Sequence, residues 1–224
     1  MLPELLVTDC AGTVMRDEGT VLVAYRAALS AHDIPATDAE LAARRGASKR
    51  AVFQELAGRA FPPERAATVA EHALADFEAA LRDAYETGPV EEVPGAGDAL
   101  ARLRAAGVRL ALTSGFERDV LDLLVARLGW RDLFDRTLAG SDVPLGRPAP
   151  FLIYRAMMDL GVADVARVAV VGDTPLDLAA GTHARAGWVI GVLGGAHGME
   201  TLGATPHTHL LASVAVLPAL FGLS

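Results

Sequence analysis

Leu5-Leu6-Val7-Thr8-Asp9-Cys10-Ala11-Gly12-Thr13 decides how the rest of this chain is read. An apolar, β-branched run leads without interruption into an acid. The acid is followed by small residues, a glycine and a hydroxyl. A short continuous run of this kind reads as a strand buried on both faces, as in a parallel sheet. A second stretch has the same shape: Val168-Ala169-Val170-Val171-Gly172 ends at Asp173, and Thr174-Pro175-Leu176-Asp177 follows. In open α/β sheets, ligands bind in the crevice at the carboxyl ends of the strands. Two strand-terminal carboxylates there form an oxygen-only acidic cluster, which suits a hard cation such as Mg²⁺.

Outward from these two stretches, strands are predicted at 4–9, 108–113, 133–138, 168–173 and 188–193, with a weaker candidate at 208–211. Helical spacing fills 95–106, 117–128, 150–160 and 175–186, and a glycine at 107, 129, 161 or 187 stops each one. Strands alternating with helices of this length predict an α/β fold, a doubly wound Rossmann-like parallel sheet. The stretch from about 15 to 88 breaks the alternation. Residues 21–31, 37–45, 48–58 and 63–84 are helical in pattern, the last strongly amphipathic. The expected organisation is a core of residues 1–14 and 90–224 carrying an all-helical insert, or cap, at 15–89. The chain would cross between them near 14–20 and 86–94, where Gly19, Gly88 and Pro89 suit turns or hinges.

A formal net charge of −8 argues against a nucleic-acid or anionic-membrane partner, either of which needs a basic face. It does not exclude an anionic small molecule, because a metal and a few cations can dominate one pocket. The lone cysteine, Cys10, rules out an intramolecular disulfide and reads as a small buried hydrophobe. Met1-Leu2-Pro3-Glu4 lacks a secretory pattern and no apolar run approaches membrane length, so a cytoplasmic location is the expectation.

Four loops carry candidate chemistry. Asp9 can attack phosphorus as a nucleophile, and Gly12 lets backbone N–H groups approach phosphate oxygens. Thr113-Ser114-Gly115 ends the second strand with hydroxyls and amides, although a helix N-cap would look the same. Arg147, fixed between Gly146 and Pro148, can neutralise a phosphoryl group and its nucleophile together, or be a solvated surface arginine. Asp173 is placed for a metal. Asp177, one helical turn on, can support a metal-bound water, orient the arginine, or simply meet the helix dipole.

In this order the loops resemble those of the haloacid dehalogenase superfamily of phosphotransferases, over essentially the whole chain. The resemblance implies Asp9 as nucleophile and Thr113 as the phosphate-binding hydroxyl, with Arg147 where the family usually has lysine. It implies Mg²⁺ held by Asp9, the Ala11 carbonyl and Asp173, with Asp177 beside them. Ala11, Gly12, Thr13, Ser114 and Gly115 would surround a small phosphorylated or phosphonylated substrate. Two departures stand out. Ala11 replaces the second aspartate, the general acid of most such phosphatases, and general acid–base help is worth about 10²–10⁴-fold. Arg147 replaces lysine. Both are features of the phosphonatase branch, the phosphonoacetaldehyde hydrolases and their relatives, where a cap lysine forms a Schiff base and no oxygen leaving group needs a proton.

Lys49, in Arg45-Gly46-Ala47-Ser48-Lys49, is the only lysine of the chain, so imine chemistry falls to it. The same Gly46-x-Ser-basic pattern also resembles the specificity loop of ordinary phosphatases, where the cation only binds an anion. Val52 stands where phosphonatases tend to carry a histidine. A phosphomonoesterase and a non-catalytic binding protein are therefore the competing expectations. Dimers through the cap are common in this branch, so a homodimer is implied by resemblance, while the face of Leu22, Tyr25 and Leu29 reads as core or interface. His207-Thr208-His209 is expected to be structural. Gly194-Gly195-Ala196-His197 is expected to be a flexible loop of little functional weight.

Overall fold

The computed structural model describes residues 1–223. Its centre is a sheet of six strands, β1 (Leu5–Asp9), β2 (Arg109–Thr113), β3 (Arg136–Leu138), β4 (Val168–Gly172), β5 (Trp188–Val192) and β6 (His209–Leu211). They lie in the order β3-β2-β1-β4-β5-β6, and every pairing is parallel. The helices, in chain order, are α1 (Thr20–Ala31), α2 (Asp38–Ala43), α3 (Lys49–Ala60), α4 (Pro63–Thr87), α5 (Ala96–Ala105), α6 (Arg118–Arg127), α7 (Phe151–Leu160), α8 (Pro175–Ala184), α9 (Met199–Gly203) and α10 (Leu217–Leu220). The α/β Rossmann-like class expected from the alternation is the observed one.

Successive strand residues face opposite sides of the sheet, so continuous apolar runs serve two cores. Leu6, Leu110, Leu112, Ala169, Val171 and Ile190 pack with α5 and α6. Leu5, Val7, Ala111, Val168 and Val170 pack with α7 and α8. The third strand is shorter than predicted. Residues 131–133 form a turn and the strand begins only at Arg136, because Phe134 packs edge-on against Trp130 at 5.8 Å and the Asp135 carboxylate accepts the Leu110 N–H at 2.8 Å. The short helices α9 and α10 were not anticipated, being too brief for periodicity to show.

Helices α1 to α4 all fall between β1 and β2 in the chain. The two crossings run side by side: the Arg16 N–H donates to Glu91 O (3.0 Å) and the Val93 N–H to Val14 O (2.8 Å). Gly19 opens α1 at φ 94°, a left-handed conformation that costs glycine least. Tyr25, Phe53 and Phe77 lock α1, α3 and α4 together with ring centroids 4.5–5.4 Å apart. Tyr25 and Leu29 are thus helical-insert core, whereas Leu22 is half-buried beside the cavity described below. Among the described residues no helix is long and apolar enough to cross a membrane.

Candidate active site

β1 and β4 are neighbours, so their carboxyl ends bring Asp9 and Asp173 together. The Asp9 side chain continues the Leu5–Val7 face and meets Arg147, whose Nη1 lies 2.5 Å from Asp9 Oδ1 and 2.8 Å from Asp177 Oδ1. Arg147 Nη2 donates to Thr113 Oγ1 at 2.8 Å. The guanidinium is buried. Burial works against its charge, but Asp177 and Asp9 outweigh burial and raise its pKa. Asp177 is engaged on both oxygens: Oδ1 faces Arg147, Oδ2 accepts from the Thr174 N–H (3.0 Å) and hydroxyl (2.6 Å), and Thr174 caps α8 in return. Asp177 therefore orients the arginine and caps its helix at once.

Asp173 is wholly buried. Its Oδ1 accepts from Thr13 Oγ1 at 3.0 Å and its Oδ2 from the Ala196 N–H at 2.6 Å. Burial, then the charges of Asp9 and Asp177, push its carboxyl up to about 8. Burial likewise raises Asp9 to about 6, although Arg147 pulls it down. One oxygen from each of Asp9, Asp173 and Asp177 lies within 4.8 Å of the others. Packing like charges this closely out of water is unfavourable without a compensating cation. Gly12, at φ 93°, approaches so near that a Cβ there would sit 2.2 Å from Asp173 Oδ2. An all-oxygen donor set, held close and crowded by a side-chain-free turn, fits Mg²⁺.

A cavity of about 310 Å³ opens over Asp9 and Asp173, between the core and the inserted helices. Ala11, Gly12, Gly46, Lys49, Ser114 and Gly115 line it. Lys49 is 6% exposed, with Nζ 5.7 Å from the Tyr25 ring centroid and 5.3 Å from that of Phe116. Burial lowers its amine to about 8, partly offset by Asp9, with Arg147 and Arg45 acting in the same direction as burial. Arg50, the other flanking arginine, instead pairs with Glu71 at the surface. Val52 is buried in the core of the inserted helices.

Not every expected site residue faces the cavity. Thr113 does not line the cavity: its hydroxyl donates to Thr8 O (3.2 Å) and accepts from Arg147. Ser114 and Thr174 border the cavity, and the Ser114 hydroxyl accepts the Phe116 N–H at 3.1 Å. Thr13 is buried and donates to Asp173, so it supports that acid rather than touching a substrate. Arg147 and Asp177 stand behind Asp9, where the arginine meets the expected nucleophile and Asp177 holds the arginine, one of the roles expected for it. The 194–196 segment lines the cavity and bonds Asp173, which the sequence reading had given little weight. Phe116 and Thr174 were also missed. Each directly follows a residue or motif that had been singled out, and for Thr174 the Thr-x-x-Asp spacing of a capping box was a further signal.

Asp9 and Asp173, gathered at the ends of adjacent parallel strands beneath a cavity roofed by inserted helices, form the candidate active site of an α/β fold. Residues 3–185 match the family model of haloacid dehalogenase-like hydrolases, and the chain belongs to that family. A phosphonoacetaldehyde hydrolase of Parabacteroides distasonis is 33% identical over 110 residues, 48% of this chain and 40% of that protein. The match thus takes in well under half of that relative's length. A hydrolase from Pseudomonas syringae superposes with a TM-score of 0.81 at 20% identity, over 99% of each chain. A phosphonoacetaldehyde hydrolase-like protein from Oleispira antarctica gives 0.80 at 17% identity, over 99% of this chain and 92% of that one. At these identities the two structures speak for the fold.

Proposed function

We propose that this hydrolase cleaves the carbon–phosphorus bond of a small phosphonylated aldehyde, phosphonoacetaldehyde or a close analogue, through an imine on Lys49 and a phosphorylated Asp9. The observation that carries the reading is the placement of the only lysine, desolvated, in the same cavity as Asp9. An amine with a pKa near 8 is roughly a tenth to a fifth neutral close to physiological pH, and that fraction can add to a carbonyl.

The Lys49 amine adds to the aldehyde carbon and water leaves, giving a protonated imine. Asp9 attacks phosphorus with the oxygen that Arg147 leaves free. The carbon–phosphorus bond breaks and its electron pair flows into the iminium, forming an enamine. Protonation at carbon and hydrolysis release the aldehyde and restore Lys49. A second water attacks the aspartyl-phosphate and frees inorganic phosphate. No oxygen leaving group needs a proton, so the methyl of Ala11 is adequate. Arg147 offsets the charge of Asp9, and Ser114 with the turn at Gly12 meets the phosphoryl oxygens. Mg²⁺, held by Asp9, Asp173 and the Ala11 carbonyl, would supply further charge stabilisation when bound.

With phosphonoacetaldehyde the protein should release acetaldehyde and phosphate in equal amounts. Borohydride added during turnover should fix a two-carbon adduct on Lys49, detectable by peptide mass. Hydrolysis of p-nitrophenyl phosphate with neither phosphonate cleavage nor an adduct would replace this reading with that of a phosphomonoesterase.

A further inference from the structure

The loop after β5 is unlike an idle connection. The Leu193 N–H donates to Leu211 O at 2.9 Å, which anchors the loop where it leaves the sheet. Two residues later Gly195 has no room for any side chain. A Cβ there would lie 2.3 Å from Asp173 Oδ2, 2.4 Å from Asp173 Cβ and 2.3 Å from Gly12 O. The next residue, Ala196, donates its N–H to Asp173 Oδ2 at 2.6 Å. With Thr13 on Oδ1, both oxygens of this acid are held by the protein, and each keeps a lone pair free.

We infer that Gly195 and Ala196 form a positioning element for Asp173, the glycine allowing close approach and the amide fixing the carboxylate so that its remaining lone pairs face the cation. This rests on the reading of Asp173 as a metal-site acid. Groups that orient a metal ligand are typically worth about 10–100-fold in metal affinity. An amide donor also favours the ionised form of a buried carboxylate, which is the form a cation needs.

Thermal unfolding of the full chain across an Mg²⁺ series tests this. In Gly195→Ala the half-saturating Mg²⁺ concentration should rise by about 10–100-fold. Gly198→Ala, in the same loop with nothing within 4 Å of the added methyl, should match wild type. Equal half-saturation in Gly195→Ala and wild type overturns the inference. A wild type that Mg²⁺ does not stabilise overturns the metal reading itself, which separates the two failures. An arm free of variants follows the Ala196 amide by NMR in wild-type protein. Its resonance should move with Mg²⁺ at the same half-saturation, and a resonance that stays put overturns the inference even if Gly195→Ala fails to fold. Kinetics supply a last readout: Gly195→Ala should recover kcat at high Mg²⁺, whereas a variant with kcat lost at every Mg²⁺ concentration and unaltered half-saturation speaks against positioning.

Discussion

Gly115→Ala should disable C–P cleavage by lifting the roof of the cavity. Three glycines let the 46–48 loop seat on the core. A Cβ on Gly46 would lie 2.6 Å from Thr174 Oγ1, one on Gly146 2.9 Å from Ser48 Cβ, and one on Gly115 2.3 Å from Ala47 O. Gly115 is the severest, because the obstacle is backbone and cannot rotate away. Its own carbonyl accepts the Lys49 N–H at 3.1 Å, so the residue that would clash is also the one that docks the lysine. An added methyl needs roughly 3.3–3.5 Å from that oxygen, so the loop must retreat by about 1 Å. A displacement of that size can cost about 10²-fold in rate when it misplaces a reacting group. Because Gly115 has no positive φ, alanine adds no backbone strain, and the fold should persist. Steady-state assays on phosphonoacetaldehyde should show kcat reduced by about two orders of magnitude. Hydrolysis of p-nitrophenyl phosphate, which needs no imine, should fall less. The pH profile is a separate readout. A lifted lysine is rehydrated, so the acid limb, where activity rises as the amine loses its proton, should move from near 8 toward the usual 10.5. A Gly115→Ala protein with wild-type kcat and an unmoved limb would refute the argument that this backbone contact sets the lysine.

Lys49→Met should abolish C–P cleavage yet stabilise the fold. With the amine at about 8 folded against 10.5 unfolded, the wild type carries the whole burial penalty below pH 8, about 3 kcal/mol. Between pH 8 and 10.5 only the unfolded chain holds the proton, so wild-type stability climbs and the gap closes; urea melts showing a pH-independent gap would contradict this. Arg147→Met leaves Asp9 and Asp177 facing each other without their cation, and should cost about 3–5 kcal/mol in Mg²⁺-free melts, partly recovered by adding Asp9→Asn. Retention of stability in the single variant would show that the ion group is already hydrated. Asp9→Asn alone should remove turnover on every substrate while leaving circular dichroism unchanged, and residual turnover above a few per cent of wild type would rule out an aspartyl-phosphate.

Much of the fold was legible because a strand buried on both faces must be apolar throughout. That constraint wrote β1, β4 and β5, and β2 after Arg109, into the sequence as apolar runs, and glycines marked the stops of α5, α6 and α7, whereas α8 ends on Arg185 in the left-handed conformation ahead of Gly187. The constraint failed at residues 133–135, where Leu133 and Phe134 are apolar but lie ahead of the strand, with Phe134 packed against Trp130. The acids Asp9 and Asp173 could be placed at strand ends, and parallel topology leaves few other arrangements. The resemblance put the phosphate-binding hydroxyl on Thr113, whereas the fold turns that hydroxyl toward Thr8 and Arg147 and sets Ser114 at the cavity. Adjacent residues at a strand end point opposite ways, and which one meets the cavity depends on how the last peptide turns.

Residue identity alone determined the parallel α/β core, a run of helices after the first strand and the presence of a single lysine. Those follow from local hydrophobic pattern and from elementary functional-group chemistry. Tertiary structure decided that Arg147 stands behind Asp9, that Thr13 serves Asp173 and that a backbone N–H from the 193–198 loop completes that acid's surroundings. A backbone donor is the same in every non-proline residue, so no pattern of side chains announces where the fold will aim it.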